Sequence, residues 1–132
     1  MKATQKVRKE VLKTLNDSMK AFVSRDTEKA VSYYAKDKDL ISIGTEDGEI
    51  IRGITKLRKS FDVTCKQFEK FAFKTKIFEV SAAGNVAWAS GMGTYDIKAG
   101  GKKFKIAGRF SMIFEKRGKD WLIVHAHYSL PV

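Results

Sequence analysis

Residues 103–129 read KFKIAGRFSMIFEKRGKDWLIVHAHYS, and this stretch carries the clearest pattern of secondary structure in the chain. Apolar and polar residues alternate over 103–116 and again over 121–129, a period of two that predicts half-buried β-strands. Between the two runs stands Arg117-Gly118-Lys119-Asp120, a short glycine-containing segment that predicts a tight turn. Two long strands joined by a tight turn pair antiparallel.

The same pattern extends toward the N-terminus. Alternation over 70–81 and 86–98, with glycine turns after each run, predicts two more strands of one antiparallel meander. The first 69 residues instead have helical periodicity, apart from a short hairpin around Asp47-Gly48. We therefore predict a single α+β domain over 1–132, with a curved antiparallel sheet around N-terminal helices. The expected helices span about 4–24, a short segment from Asp26 or Thr27, and about 54–68.

Composition limits the classes of function. The chain has 26 Lys and Arg against 15 Asp and Glu, a net charge of +11 that favours anionic partners such as nucleic acid or acidic proteins. A simpler explanation, that the lysines keep the protein surface soluble, is favoured over binding of an anionic partner. One cysteine and two histidines leave little material for a disulfide or a metal site, so we expect neither a metal nor a cofactor. With no secretory signal pattern at the N-terminus, we expect a cytoplasmic protein.

Strand alternation also predicts which side chains share a face. Phe110, Met112 and Tyr128 belong to apolar sets that should face the helices, and we place the set around Trp88 with them. The opposite face of the last two strands is too apolar and aromatic for solvent alone, so we expect a second copy of the chain to cover it. The predicted dimer face consists of Arg109, Trp121, Ile123, His125 and His127.

The segment Trp121–Ser129 is similar to the W-x-x-V/I-H-x-H-x-S ending of one known group of proteins, and Arg109 matches an arginine common among its bacterial members. On these residues the chain resembles the NTF2-like superfamily, within it the SnoaL-like group that includes the association domain of calcium/calmodulin-dependent protein kinase II. The resemblance implies a cone-shaped sheet around a long helix, a pocket at its wide end, and a homodimer packed sheet to sheet. It does not imply one activity, because the superfamily includes isomerases, dehydratases, cyclases, transport factors and assembly domains.

Two catalytic interpretations find weak support in the residues. By the family register, the carboxylate base of a ketosteroid isomerase corresponds to Ser42 and its oxyanion tyrosine lies near Ser18; serine is no base at neutral pH. His125 and His127 share a strand face with Arg109 and could shuttle protons, but strand alternation points them away from the pocket.

We therefore predict a small-molecule-binding homodimer without a catalytic constellation. The alternatives are an isomerase, dehydratase or cyclase acting on a small hydrophobic substrate in the same pocket, and a basic dimer that binds nucleic acid or an acidic protein. The predicted pocket is aromatic and mostly apolar, with a few hydroxyl groups, as small-molecule sites usually are. Its predicted lining is Trp88, Ser90, Met92, Phe110, Met112, Tyr128, Tyr34 and Ser42.

Overall fold

A computed structural model describes residues 1–131. Three helices precede most of the sheet: α1 (Gln5–Val23), α2 (Thr27–Val31) and α3 (Ile54–Gln67). The Thr4 hydroxyl caps α1 by accepting from the N–H of Val7, and the Asp26 carboxylate caps α2 by accepting from that of Lys29. No helix among the described residues is long and apolar enough to cross a membrane.

Six strands form one curved, open sheet in the order β2-β1-β6-β5-β4-β3. Their bounds are β1 (Ile41–Ile43), β2 (Ile50–Arg52), β3 (Lys70–Ala83), β4 (Val86–Ala99), β5 (Lys102–Arg117) and β6 (Asp120–Ser129). Neighbouring strands are antiparallel except β1 and β6, which pair in parallel, so the sheet is mixed at this point rather than wholly antiparallel. The predicted α+β class, with helices before a curved sheet, is confirmed.

Helix α1 packs its apolar stripe on the inner face of the sheet. Val11 and Leu15 are fully buried there, in one cluster with Phe114 and Ile123 of the last two strands. Polar contacts fix the position of the helix: the Trp121 indole N–H donates to the Glu10 carboxylate over 3.1 Å, and the Thr14 hydroxyl donates to the Trp121 carbonyl over 2.9 Å. The core therefore lies between α1 and the central strands β5 and β6.

The predicted orientation of Trp121 and Ile123 is wrong. Both were expected on the outer face, but Trp121 is 4% exposed and Ile123 is fully buried in the core. The register between β5 and β6 explains the error, because Ile113 pairs with His125 while the next residue, Phe114, pairs with Ile123. Val124 is thus the extra residue of a β-bulge, which reverses the alternation along β6. His125 and His127, beyond the bulge, lie on the outer face.

The predicted orientation of Trp88, Ser90 and Met92 is wrong as well. These three side chains lie on the outer face of β4, where Ser90 and Ser111 Oγ atoms are 3.2 Å apart and Met92 is 38% exposed. The inner face of β4 instead carries small residues, beginning with Ala87 and Ala89. Neighbouring atoms leave room only for small residues on the inner face: a Cβ at Gly91 would lie 2.5 Å from the Lys76 carbonyl oxygen and 3.0 Å from the Phe110 ring.

Candidate ligand-binding cavity

The open end of the sheet and the helices enclose a cavity of about 640 Å³. Helices α1 and α3 supply one side of it, the short strands β1 and β2 another, and the ends of β3 to β6 the third. This volume lies within the range of small-molecule sites, roughly 300 to 1,000 Å³. The cavity opens to solvent between α3 and the end of β6, where Val63 and Leu130 are exposed.

Aromatic rings form the apolar wall of the cavity. Phe22 of α1 meets Phe61 of α3 and Phe71 of β3 edge to face, with ring centroids 5.0 and 5.5 Å apart. Phe71 also lies 5.5 Å from the Tyr95 ring and 5.7 Å from that of Phe68. Such offset and edge-to-face pairs stabilise one another beyond their buried area, so this wall is held in place before any ligand arrives.

Hydroxyl groups line the inner end of the cavity. Tyr34 is 3% exposed, and Ser18, which lines the same cavity, donates its hydroxyl to the Ala30 carbonyl over 3.3 Å. Burial raises the pKa of Tyr34, of Tyr95 and, most strongly, of Tyr128. Desolvation disfavours a phenolate, so the three tyrosines stay protonated at neutral pH and act as hydrogen-bond donors rather than as bases. Ser42 adds a fourth hydroxyl residue to this inner end, which we call the hydroxyl floor (Ser18, Tyr34, Ser42, Tyr128).

Five charged residues line the cavity, and all but the half-buried Glu49 are exposed: Glu46, Glu49, Lys56, Lys59 and Arg109. The Glu49 carboxylate packs over Gly44, where any side chain would collide with it, and it accepts from the Glu46 backbone N–H over 3.1 Å. Arg109 lies across the mouth, with Nε donating to the Ser129 hydroxyl and an Nη donating to the Leu130 carbonyl, each over 3.2 Å. A ligand entering here passes charged side chains and then meets an apolar wall and neutral hydroxyls.

The predicted pocket residues fall into three groups. Tyr34, Tyr128 and Ser42 line the cavity. Phe110 and Met112 face inward but are buried in the core, 6% and 2% exposed, and do not line it. The remaining three predicted residues, all on β4, lie on the opposite face of the sheet, as described above.

Sequence reasoning missed much of the actual lining. Phe22 and Phe61 fall on the apolar stripes of their helices, a pattern that indicates burial but does not separate core from cavity wall. Phe71 and Tyr95 are diagonal neighbours at inner positions of β3 and β4, since Phe71 pairs with Ile97, and only the sheet register brings them together. Glu49, interpreted from its sequence position as a turn or surface acid, is half-buried and faces the cavity.

The two histidines do not belong to the cavity. His125 pairs with Ile113 of β5 and Ile41 of β1, and His127 pairs with Ser111 and Ile43, all on the outer face. Within residues 1–131, no group of three or more His, Cys, Asp or Glu side chains is arranged to hold a metal ion.

The structure is similar to several solved structures at low sequence identity. An NTF2-like superfamily protein from Salmonella enterica has a TM-score of 0.88 and 23% identity, covering 98% of this chain and 94% of that one. A "putative dehydratase" of the NTF2-like family from Streptomyces avermitilis has a TM-score of 0.85 and 13% identity, with 94% and 96% covered. A "putative calcium/calmodulin dependent protein kinase II association domain" from Xanthomonas campestris has a TM-score of 0.77 and 21% identity, with 92% and 86% covered. At such identities the likeness establishes the fold alone.

Helices packed inside a curved open sheet, with a cavity at its open end, define the NTF2-like class of α+β proteins. The family model described as SnoaL-like domain matches residues 11–132, so the chain belongs to the SnoaL-like family, as the C-terminal motif predicts. A comparison with curated protein sequences found no match.

Proposed function

We propose that this protein binds a small, mainly apolar molecule that carries an aromatic ring and one oxygen or nitrogen able to form hydrogen bonds. The observation that carries the proposal is the cavity of about 640 Å³ itself, whose wall is aromatic and whose inner end is lined with hydroxyl groups. An aromatic ring gains offset and edge-to-face contacts with Phe22, Phe71 and Tyr95.

The hydroxyl floor supports the polar part of the proposal. Its tyrosines are neutral, since burial raises their pKa values, and an uncharged ligand group can therefore enter without leaving a buried charge unpaired. Each hydroxyl both donates and accepts, so the floor fits a hydroxyl or carbonyl oxygen. The proposal assigns binding and no reaction: the acidic side chains that line the cavity are Glu46, which is exposed, and Glu49, which is half-buried.

The polar contact is tested with 2-naphthol, an aromatic probe with one hydroxyl group, by isothermal titration calorimetry. Tyr128→Phe removes one hydroxyl from the floor, and we expect roughly fivefold weaker binding, the net effect of a single hydrogen bond. Tyr33→Phe is the control, because Tyr33 does not line the cavity. Equal affinities for the two variants would contradict the proposed position of the ligand oxygen.

We also propose that the protein is a homodimer that pairs through the outer face of the sheet. Three large apolar side chains are exposed there, Val86 at 36% and Met92 and Ile113 at 38% each. One hydrogen bond joins the Ser90 and Ser111 hydroxyls within this face, so one of the two donors already has an acceptor when a second chain covers them. We call the three exposed apolar residues together with Trp88 the apolar outer patch (Val86, Trp88, Met92, Ile113). Its members are neighbours on β4 and β5, where Trp88 pairs directly with Ile113, and one continuous apolar surface of this kind supports an interface.

Light scattering at tens of micromolar protein tests the dimer. The wild type should have twice the mass of one chain, and Ile113→Glu should give the monomer because it places an unpaired carboxylate in the interface. Phe104→Glu, a substitution of the same charge at an apolar side chain 49% exposed outside the patch, should leave the dimer intact. A monomeric wild type, or dissociation by both variants alike, would refute this interface.

A further inference from the structure

The outer face of the sheet has a strongly basic region on β3, β4 and β5. It lies toward the end of the sheet where β3 begins, β4 ends and β5 begins. Alternation with the inward-facing Phe71, Ile97 and Ile106 places a set of seven basic residues on this face, and we call the set the basic band. Its members are Lys70, Lys74 and Lys76 of β3, Lys98 of β4, and Lys103, Lys105 and Arg109 of β5.

Direct cross-strand pairing concentrates this charge. Lys70 pairs with Lys98, and Lys98 pairs with Lys103, so three lysines stand side by side across three strands. Six residues further along each strand, Lys76 pairs with Met92, and Met92 pairs with Arg109. Like charges directly opposite one another destabilise a sheet, so an anion bound over them relieves a repulsion that the free protein carries.

Few carboxylates compensate the band. Glu69 lies 3.7 Å from the Lys98 ammonium group, and Asp96 lies 4.0 Å from that of Lys105. Within residues 1–131, the other five basic side chains have no carboxylate within 4 Å, and all five are exposed. The band spans roughly 10 Å across three strands and roughly 20 Å along them, from the usual strand spacing and rise.

We propose that the basic band binds the phosphate backbone of duplex nucleic acid without reading its sequence. A duplex segment of that length carries about a dozen phosphates, so several of them can meet the band at once. Between the basic residues lie the small side chains Ala72, Thr94 and Ala107. Among these residues there are neither aromatic rings to stack on bases nor amide side chains to read them, and the exposed large apolar side chains nearby, Met92 and Phe78, lie at the edge of the band. The proposal does not depend on the ligand of the cavity, although Arg109 also lies at the cavity mouth and Met92, at the edge of the band, belongs to the apolar outer patch.

The test measures binding of a fluorescent 20-base-pair DNA duplex by anisotropy, over a series of salt concentrations. Wild-type affinity should fall steeply with salt, with a slope of about −4 in log–log form if four to five phosphates are neutralised. A triple variant, Lys74→Ala/Lys76→Ala/Lys103→Ala, should bind at least tenfold more weakly at 0.1 M salt and lower the slope by about 3. These alanines replace exposed side chains, and thermal melting checks that the fold is kept.

The matched control removes the same charge elsewhere. Lys6→Ala/Lys9→Ala/Lys20→Ala changes three exposed lysines of α1 and should bind the duplex nearly as tightly as the wild type. Equal losses in the two triple variants would overturn the proposal, because net charge alone would then explain binding. Equal or tighter binding of polyglutamate or of phosphatidylserine vesicles would also overturn it, in favour of an acidic protein or a membrane surface.

Discussion

Replacing Ile123 with alanine should lower the free energy of unfolding by roughly 2–5 kcal/mol, because it removes a fully buried side chain from the centre of the core and leaves a cavity. In a domain of this size, we expect the melting temperature to fall by roughly 6–25 °C. Chemical denaturation followed by circular dichroism measures the effect. The result distinguishes the bulged register of β6 from simple alternation, which would place Ile123 on the outer face.

Ile50→Ala is the matched control for this change. Ile50 is 56% exposed on β2, and its truncation should change the unfolding free energy by less than about 0.5 kcal/mol. If the two variants were equally mild, and Ile123→Ala instead dissociated a dimer, Ile123 would belong to an interface and the bulge at Val124 would be wrong.

The second large effect concerns ligand binding. Phe71→Glu places a carboxylate among Phe22, Phe68 and Tyr95, and we expect the affinity for 2-naphthol to fall about 100-fold or more, because an apolar ring would then press against an unpaired charge. Phe71→Leu keeps the wall apolar but loses the ring, and should weaken binding by about five- to tenfold. Isothermal titration calorimetry measures both.

The control for this pair is Phe78→Glu. Phe78 lies on the same strand, is 55% exposed, and is the extra residue where the register of β3 shifts between Ile77 and Glu79. The substitution changes the net charge by the same amount as Phe71→Glu but should leave 2-naphthol binding unchanged. A similar loss of affinity in both variants would show that the probe responds to overall charge and not to the aromatic wall.

The sequence predicts the architecture of this protein well, because long alternating runs and glycine turns define β3 to β6 within a few residues. It fails at the faces of two strands, for different physical reasons. In β6, one extra residue at Val124 reverses the alternation, and a bulge leaves no mark in the hydrophobic pattern. Simple alternation therefore predicts the outward position of His125, which follows Val124, correctly, and that of Trp121, which precedes Val124, wrongly.

In β4 the prediction of the inward face fails because of side-chain packing. The larger residues, led by Trp88, suggest the inner face, but the neighbouring Phe110 ring occupies the space that a side chain at Gly91 would need. The inner face therefore takes alanine and glycine, and the large side chains point outward. Size alone does not indicate burial when the partner strand supplies the bulk.

The cavity could be predicted only in part. Ser42 and Tyr128 lie in strands whose inward positions follow from local pattern, Tyr34 follows α2 in a single bridge to Ile123, and all three line the cavity. The aromatic wall assembles residues from α1, α3, β3 and β4, and its existence depends on how those elements close at one end of the sheet. Glu49 reaches the cavity because Gly44, which lies opposite it just after β1, has no side chain to block the carboxylate. The register of the hairpin places these two residues opposite each other.

A crystal structure of the protein soaked with 2-naphthol tests most directly whether the cavity binds an aromatic molecule with one polar group. We expect density for the naphthyl ring between Phe22, Phe71 and Tyr95, with the naphthol oxygen within hydrogen-bond distance of the Tyr128 or Tyr34 hydroxyl. A cavity that stays empty at saturating probe, or a probe bound on the apolar outer patch instead, would contradict it.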